Sequence, residues 1–368
     1  MTILLSHTSA LEALRRLGCI RQEPIGADAV ALDCAPDASR AAALWESALP
    51  GTPQAPLHVQ VPQGSPRRRG GALVTHPMGE PPTGEVLSLC KGLACPTPSQ
   101  LLVQLEPRLT RLELLMLMEE LMGTYAVRPD APRGMVARPS PLLAPEELET
   151  RLGLAGSATN HRKLRWALDR AVPGSASPRE SKLVLRLSLQ ASLGGYGLAV
   201  AGLNQGLAVA GIASGEGRVR RPDVLLARPG HAGGDRLVAL EYDGDVHLDE
   251  ERHAEDLRRT NELAAAGIAE YRVDKALYKN LGYMDSLVEQ IRAELGMPRE
   301  HLSRRQREQR RKPRLELFDE LEEIDGVTWD GRARERDRRK AGVSATPPQD
   351  PVEGDAVPLE AYGVKRAR

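Results

Sequence analysis

The sequence is poor in aromatic residues, which make up 3% of its 368 residues and include a single Phe. Leu, Ala and Val must therefore form most of any core, for which an apolar content of 41% is sufficient. The sequence also lacks a charge bias, because Lys plus Arg and Asp plus Glu both total 50. A surface that binds nucleic acid would have to be local, since the net charge gives no long-range attraction.

Cysteines are few, with Cys19, Cys34, Cys90 and Cys95 spread over the first hundred residues. This number is too small for a disulfide framework, and we expect Cys90 and Cys95 to be reduced thiols. The sequence has no stretch of about 20 apolar residues such as a membrane span requires, and its start does not resemble a signal peptide. We therefore expect a cytoplasmic protein without a membrane partner.

The length predicts about two domains. The pattern indicates a mixed α/β domain at 1–125, a Pro-rich linker at 126–148, an α/β domain with leading helices at 149–297, and a charged tail at 298–368. The tail is predicted to be helical and then disordered, and its basic run at 303–314 is either a solvated helix face or a phosphate contact. A protein partner could bind the N-terminal domain or this tail.

Two features of the first domain are expected to be structural. His76 ends a predicted strand at 72–76, and no catalytic partner is evident for it in the sequence. Arg67, Arg68 and Arg69 lie in a Gly- and Pro-rich loop. A solvated cluster of charges is the favoured interpretation of these arginines, with a contact to a phosphate backbone as the alternative.

The stretch 219–273 contains most of the residues with evident chemistry. Short apolar runs at 224–226 and 237–240, separated by a Gly-rich turn, predict a β-hairpin. The second run ends at Glu241 and Asp243, which alternation places on one face of the strand. In a hairpin, Asp223 reaches the same end of the sheet.

Three carboxylates at one point repel each other and favour a bound cation. Ligands that are all oxygen atoms suit Mg²⁺ or Mn²⁺ better than Zn²⁺, and Asp223 and Glu241 are the candidate metal ligands. His247 follows Asp243 by four residues and is a candidate general acid or base. After it, the pattern predicts a helix and a strand at 268–273, which completes an α/β core.

These residues resemble a known family. The pattern P-D, then E-x-D-G-x-x-H at 241–247, then D-x-x-R at 256–259 resembles bacterial "domain of unknown function 559" proteins, relatives of the very-short-patch-repair endonucleases in the PD-(D/E)XK superfamily. The resemblance implies a restriction-endonuclease-like mixed sheet flanked by helices, hydrolysis of DNA, and a helix that carries a catalytic glutamate, here Glu180. The superfamily usually has Lys where this chain has Asp243, so His247 is the candidate substitute.

Residues 57–125 resemble the middle part of AbiEi-type antitoxin proteins, through a strand, the turn G-L-A-C-P-T-P and a Leu-rich helix. This second resemblance carries no catalytic motif. Together the two resemblances imply a role in DNA repair, phage defence or a toxin–antitoxin context.

Three hypotheses follow for the chain. The first is a metal-dependent endonuclease with catalytic Glu180, Asp223, Glu241, Asp243 and His247. Arg220, Arg221 and Arg259 are its candidate nucleic-acid contacts, although an ion pair between Asp256 and Arg259 is the favoured interpretation of that helix. The second is a catalytically inactive nuclease fold that binds nucleic acid as a regulator. The third is an adaptor whose carboxylates pair with Arg220 or Arg221.

Overall fold

A computed structural model of the chain describes residues 1–17, 30–154, 161–210, 217–228, 236–243 and 250–341. The chain divides into two compact units, Met1–Asp169 with Trp329–Arg332, and Arg170–Thr328 with Ala333–Arg368. Both units combine helices with sheets, so the predicted mixed α/β class is confirmed. Within the described residues, no helix is both long and apolar enough to cross a membrane.

The first unit contains a five-stranded mixed sheet in its described part. Its elements, in chain order, are β1 (Ile3–Leu5), α1 (His7–Leu17), α2 (Ala38–Ala48), β2 (Leu57–Pro62), β3 (Leu73–Met78), β4 (Val86–Cys90), β5 (Leu93–Pro96), α3 (Pro98–Leu105), α4 (Arg111–Leu121), β6 (Tyr125–Val127), β7 (Met135–Ala137), α5 (Pro145–Leu154) and α6 (Arg162–Leu168). The strand order is β3-β2-β1-β5-β4, and β6 pairs with β7 separately.

Local sequence signals explain where these helices begin. Thr97 and Thr110 accept hydrogen bonds from backbone N–H groups in the first turns of α3 and α4, and Glu113 completes a capping box on α4. Trp45 on α2 is fully buried. Residues 126–148, for which a linker is predicted, include β7 and the start of α5; the domain boundaries stay predictions.

The second unit contains a four-stranded sheet with strand order β13-β12-β11-β8. Its elements are α7 (Pro178–Ser188), β8 (Ala199–Leu203), β9 (Leu207–Ala210), β10 (Gly217–Arg220), β11 (Val224–Ala227), β12 (Leu237–Asp243), α8 (Glu250–Ala265), β13 (Ala269–Asp274), α9 (Lys275–Lys279), α10 (Leu281–Glu294) and α11 (Arg304–Glu323), and α12 (Gly331–Ala341) follows. The order strand, strand, helix, strand predicted for 224–273 is confirmed.

The pairing of these strands determines where the site residues lie. β11 is antiparallel to both β8 and β12, whereas β12 and β13 are parallel. A parallel pair requires a crossover connection, and α8 lies in it. The central strands are buried on both sides, with Val224, Leu226, Val238 and Leu240 fully inaccessible to solvent.

Candidate functional site

The β11–β12 hairpin brings Asp223 and Glu241 together. Val224 pairs with Leu240 at the last position of the antiparallel ladder, so the residues just beyond this pair face each other. The backbone N–H of Asp223 donates to Oε1 of Glu241 at 3.3 Å, and the N–H of Tyr242 donates to Oδ2 of Asp223 at 2.7 Å. The two carboxylates therefore converge at one end of the sheet.

Glu180 lies beside them in the first turn of α7. Ser177 caps this helix, with Pro178 at its start. Oε2 of Glu180 accepts hydrogen bonds from the N–H of Ala176 and from Nδ2 of Asn204, both at 2.8 Å, and Oε1 accepts one from the Ser177 hydroxyl at 2.9 Å. The carboxylate is thus held at the helix start, and it is close enough to Asp223 to act on it electrostatically.

Burial and mutual repulsion raise the pKa values of the two strand carboxylates. The pKa of Asp223 lies above its ordinary value mainly because of burial and then because of the Glu180 charge, while the Tyr242 N–H and Arg259 oppose the shift. The pKa of Glu241 is raised by burial and by Asp223, against the influence of Arg259. The site therefore holds more negative charge than its surroundings balance.

Arg259 on α8 provides part of the missing positive charge. It forms an ion pair with Glu241, whose side chain is 13% exposed, and its Nε lies 3.5 Å from Oε1 of Glu270. Nη2 of Arg259 also donates to the carbonyl oxygen of Arg221 at 3.0 Å. The predicted partner Asp256 has a side chain outside the described residues, so that ion pair stays a prediction.

The other predicted residues lie less directly at the site. Asp243 is exposed at the end of β12 and contributes to the raised pKa of Asp223. Arg220 forms an ion pair with Glu262 at 2.7 Å, and Arg221 is exposed. His247 lies outside the described residues. Glu241 forms an ion pair with Arg259, which the adaptor hypothesis did not name as a partner of the carboxylates.

Two oxygen atoms remain available to a cation. Oδ1 of Asp223 and Oε2 of Glu241 make no hydrogen bond within the part of the chain that the structure describes. In the same described ranges, no group of three or more His, Cys, Asp and Glu side chains is arranged to hold a metal ion. The donor set is therefore a pair of carboxylates, which suits Mg²⁺ because this ion keeps several waters and often takes only one or two protein carboxylates.

Sequence reasoning missed two residues of the site. Asn204 adopts a positive φ of 52° after β8, from which it donates to Glu180 and to the carbonyl of Gly174. Its position in the Asn-Gln-Gly turn was a signal, since Asn is enriched in this backbone region. Glu270 on β13 was the second, and only the parallel register of β12 and β13 brings it near Arg259.

Comparison of the chain with known protein families, with curated proteins and with solved structures finds no match. The two family resemblances therefore stay predictions based on the motif residues of this chain.

Proposed function

We propose that the second unit is a Mg²⁺- or Mn²⁺-dependent endonuclease that hydrolyses phosphodiester bonds of DNA. The observation that carries the proposal is the meeting of Asp223 and Glu241 at the end of the β11–β12 hairpin, with Glu180 beside them. The order α7, β8, β11, β12, α8, β13 supports a restriction-endonuclease-like fold, because that fold is a mixed sheet preceded by a helix with a glutamate.

Asp223 and Glu241 would hold the metal ion through Oδ1 and Oε2. When bound, a divalent cation lowers the pKa of a bound water and offsets negative charge on the phosphate. The fit is supported by the raised pKa values of both carboxylates, since burial and then mutual repulsion cause the shifts and a cation between the carboxylates would relieve the repulsion.

The remaining residues position or complement this pair. The N–H of Tyr242 fixes Asp223, and Asn204 with Ala176 fixes Glu180. Arg259 holds Glu241 and places a guanidinium beside the carboxylates, where it can also contact a phosphate oxygen. In this proposal His247 moves a proton in place of the Lys that Asp243 replaces.

One observation favours a second candidate function, a nucleic-acid-binding protein without catalysis. The ion pair between Arg259 and Glu241 already supplies a counter-charge to one of the two proposed ligands. A carboxylate that is held by arginine serves structure as well as catalysis, so clustering alone does not decide between the two functions.

The deciding experiment is cleavage of supercoiled plasmid and of single-stranded DNA with Mg²⁺ or Mn²⁺. The full chain is compared with Asp223→Asn and Glu241→Gln, and Glu289→Gln is the matched control because this exposed glutamate lies on α10 of the same unit. We expect nicking by the wild-type chain and the control and none by the two site variants. Calorimetric titration of Mn²⁺ should show weaker binding to both site variants.

Two other results would redirect the proposal. Equal DNA binding by all four proteins without cleavage would support the non-catalytic binder. Cleavage that survives both site substitutions would place the active site elsewhere in the chain.

A further inference from the structure

Three histidines meet in the first unit, far from each other in sequence. His7 opens α1, His58 lies on β2, and His76 lies on the neighbouring parallel strand β3. The ring centroids of His7 and His76 are 4.0 Å apart, and those of His58 and His76 are 5.1 Å apart. Arg108, which follows α3, places Nη2 3.4 Å from Nδ1 of His76. We call these four residues the histidine cluster.

The hydrogen bonds of the cluster indicate which ring nitrogen carries the proton in His58 and in His76. A guanidinium only donates, so Nδ1 of His76 must accept from Arg108 and His76 must carry its proton on Nε2. Nε2 of His76 lies 2.9 Å from Nδ1 of His58, which therefore accepts. His58 then carries its own proton on Nε2. The result is a directed chain from Arg108 through His76 to His58 that ends in an N–H donor.

His7 is held in the cluster at a cost in backbone energy. It has a positive φ of 50°, which is uncommon for a residue other than Gly. Its side chain is 5% exposed, and its Nδ1 is buried without a hydrogen-bond partner among the described residues. Strained backbone and an unpaired buried nitrogen at the same residue are typical of functional sites.

Within the described residues, the charged side chains that shift the pKa values of these rings are arginines, together with the neighbouring histidines. Burial lowers the pKa of His7 to about 2, and burial together with Arg108 lowers the pKa of His76 to about 4. The pKa of His58 is lowered by the same two causes, and Arg67 also lowers the pKa of His76. The rings are consequently neutral at pH 7, because burial and the two arginines both disfavour the protonated form.

We propose that the histidine cluster binds a phosphate-type oxyanion. Arg108 is exposed and has further N–H donors, which form strong charge-assisted bonds to such an anion. The Nε2–H of His58 is a second donor, and His58 and His76 are both only half-buried. A bound anion would supply the negative charge that the cluster lacks.

A metal ion is a poorer occupant of the cluster. The facing nitrogens of His58 and His76 are already bonded to each other, and Arg108 occupies the other side of His76. The described part of the chain contains no histidine group arranged as a metal site. A cation would also lie close to two arginines.

Two kinds of ligand carry such a phosphate group, and binding experiments distinguish them. One is free phosphate or a phosphomonoester, and the other is the phosphate of a nucleic acid. Calorimetric titration of the full chain with inorganic phosphate tests the first source. Titration with an oligonucleotide, with and without a 5′-phosphate, tests the second. Either source supports the site if the same residues are required, and failure of both overturns it.

The variants are Arg108→Gln and His58→Gln, with His301→Gln as the matched control because His301 is exposed and lies in the second unit. We expect each cluster variant to bind phosphate roughly tenfold more weakly or worse, the loss expected for one charge-assisted hydrogen bond, and the control to bind as the wild type does. Arg108 is on the surface, so its substitution tests the proposal even if His58→Gln does not fold. Equal affinity of wild type and Arg108→Gln would overturn it.

Two further measurements separate a binding role from a structural one. Nitrogen-15 spectra of the histidine rings should show His58 and His76 protonated on Nε2 alone at pH 7; a proton on Nδ1 of His76 would contradict the directed chain. Sulfate, whose charge is constant from pH 8 to pH 6, should bind with the same affinity across this range, because Arg108 stays charged and the rings stay neutral. Tighter binding at pH 6 would show that the rings take up a proton and would contradict the directed chain.

Discussion

The acidic site of the second unit and the histidine cluster of the first are built in the same way. Each brings titratable side chains of one type together from neighbouring strands, Asp223 with Glu241 and His58 with His76. In each, burial favours the neutral form of the groups: it raises the pKa values of the carboxyls and lowers those of the histidines. The two clusters differ in the arginine placed against them.

Arg259 has the charge opposite to that of its carboxylate neighbours, and it opposes the effect of burial on their pKa values. Arg108 has the same charge as a protonated histidine, and it adds to the effect of burial. One arginine therefore helps to keep a charged site, whereas the other keeps its site neutral. An arginine beside a titratable cluster thus favours ionised acids and un-ionised histidines.

The two clusters respond to pH in opposite directions. An acid with a raised pKa stabilises the fold fully below about pH 4, where the unfolded carboxyl is also protonated, and this contribution is lost as pH rises through the folded value. A histidine with a lowered pKa contributes stability above about pH 6.5, which is lost as pH falls toward the folded value. The stability that the acidic site contributes is thus lost as pH rises from about 4 to about 8, and the stability that the histidine cluster contributes is lost as pH falls below about 6.5.

The largest effect is expected from Arg259→Gln. This substitution leaves the buried Glu270 and the partly buried Glu241 without their shared counter-charge, and removing one partner of a buried ion pair costs roughly 3–5 kcal/mol of unfolding free energy. Urea unfolding at pH 7 measures the loss. Arg305→Gln, on the exposed face of α11, is the control and should unfold as the wild type does.

A double substitution distinguishes the ion pair from simple loss of packing by Arg259. In Arg259→Gln with Glu241→Gln no charge remains at Glu241, so part of the stability should return and the two effects should not be additive. Strict additivity would show that Arg259 does not compensate Glu241.

A smaller effect is expected from His7→Asn, through the pH dependence of stability. The unfolded chain binds a proton at His7 below about pH 6.5 and the folded chain does not, so His7 alone costs about 2 kcal/mol between pH 7 and pH 5. Asn removes the titration and tolerates the positive φ. Urea unfolding at both pH values should show a smaller loss in acid for the variant than for the wild type.

The control for this prediction is His301→Asn, an exposed histidine in the second unit. Its pH dependence should match that of the wild type. An unchanged pH dependence in His7→Asn would mean that the folded chain takes up the proton at His7, and the histidine cluster would then not be a neutral site.

The acidic site was largely predictable because local signals place its residues. The apolar runs at 224–226 and 237–240 predict the hairpin, the alternation at 241–243 predicts the shared face, and Ser177-Pro178 predicts the helix start that carries Glu180. The histidine cluster was not predictable in this way. It depends on the parallel register of β2 and β3 and on the position of α1, which are long-range features, and His76 alone gave no signal.

The partner of Glu241 illustrates the same limit within the site. Helical spacing suggested that Arg259 pairs with Asp256, because residues three apart share a helix face. The structure joins Arg259 to Glu241 and Glu270 on two adjacent parallel strands, while the side chain of Asp256 lies outside the described residues. Spacing along one helix cannot reveal this, since it is the packing of α8 against the sheet that selects the partners.

The smallest effect on stability, and the sharpest test of the acidic site, is expected from Glu180→Gln. The amide oxygen of glutamine can replace Oε2 and accept from Ala176 and Asn204, and its NH₂ group can donate to the Ser177 hydroxyl oxygen, so the loss of unfolding free energy should stay below about 1 kcal/mol. The charge is nevertheless removed, and since this charge raises the pKa of Asp223, that pKa should move down toward its ordinary value. Carbon-13 spectra of the Asp223 carboxyl as a function of pH measure the shift.

The matched control is Glu113→Gln, because Glu113 closes the capping box of α4 in the first unit and has no role at Asp223. It should leave the titration of Asp223 unchanged. If Glu180→Gln also leaves that titration unchanged, Glu180 is only a helix cap and the acidic site consists of the strand carboxylates alone. A lowered pKa in Glu180→Gln alone would instead establish that the helix and the hairpin contribute charge to one common site, which metal-dependent hydrolysis by three carboxylates requires.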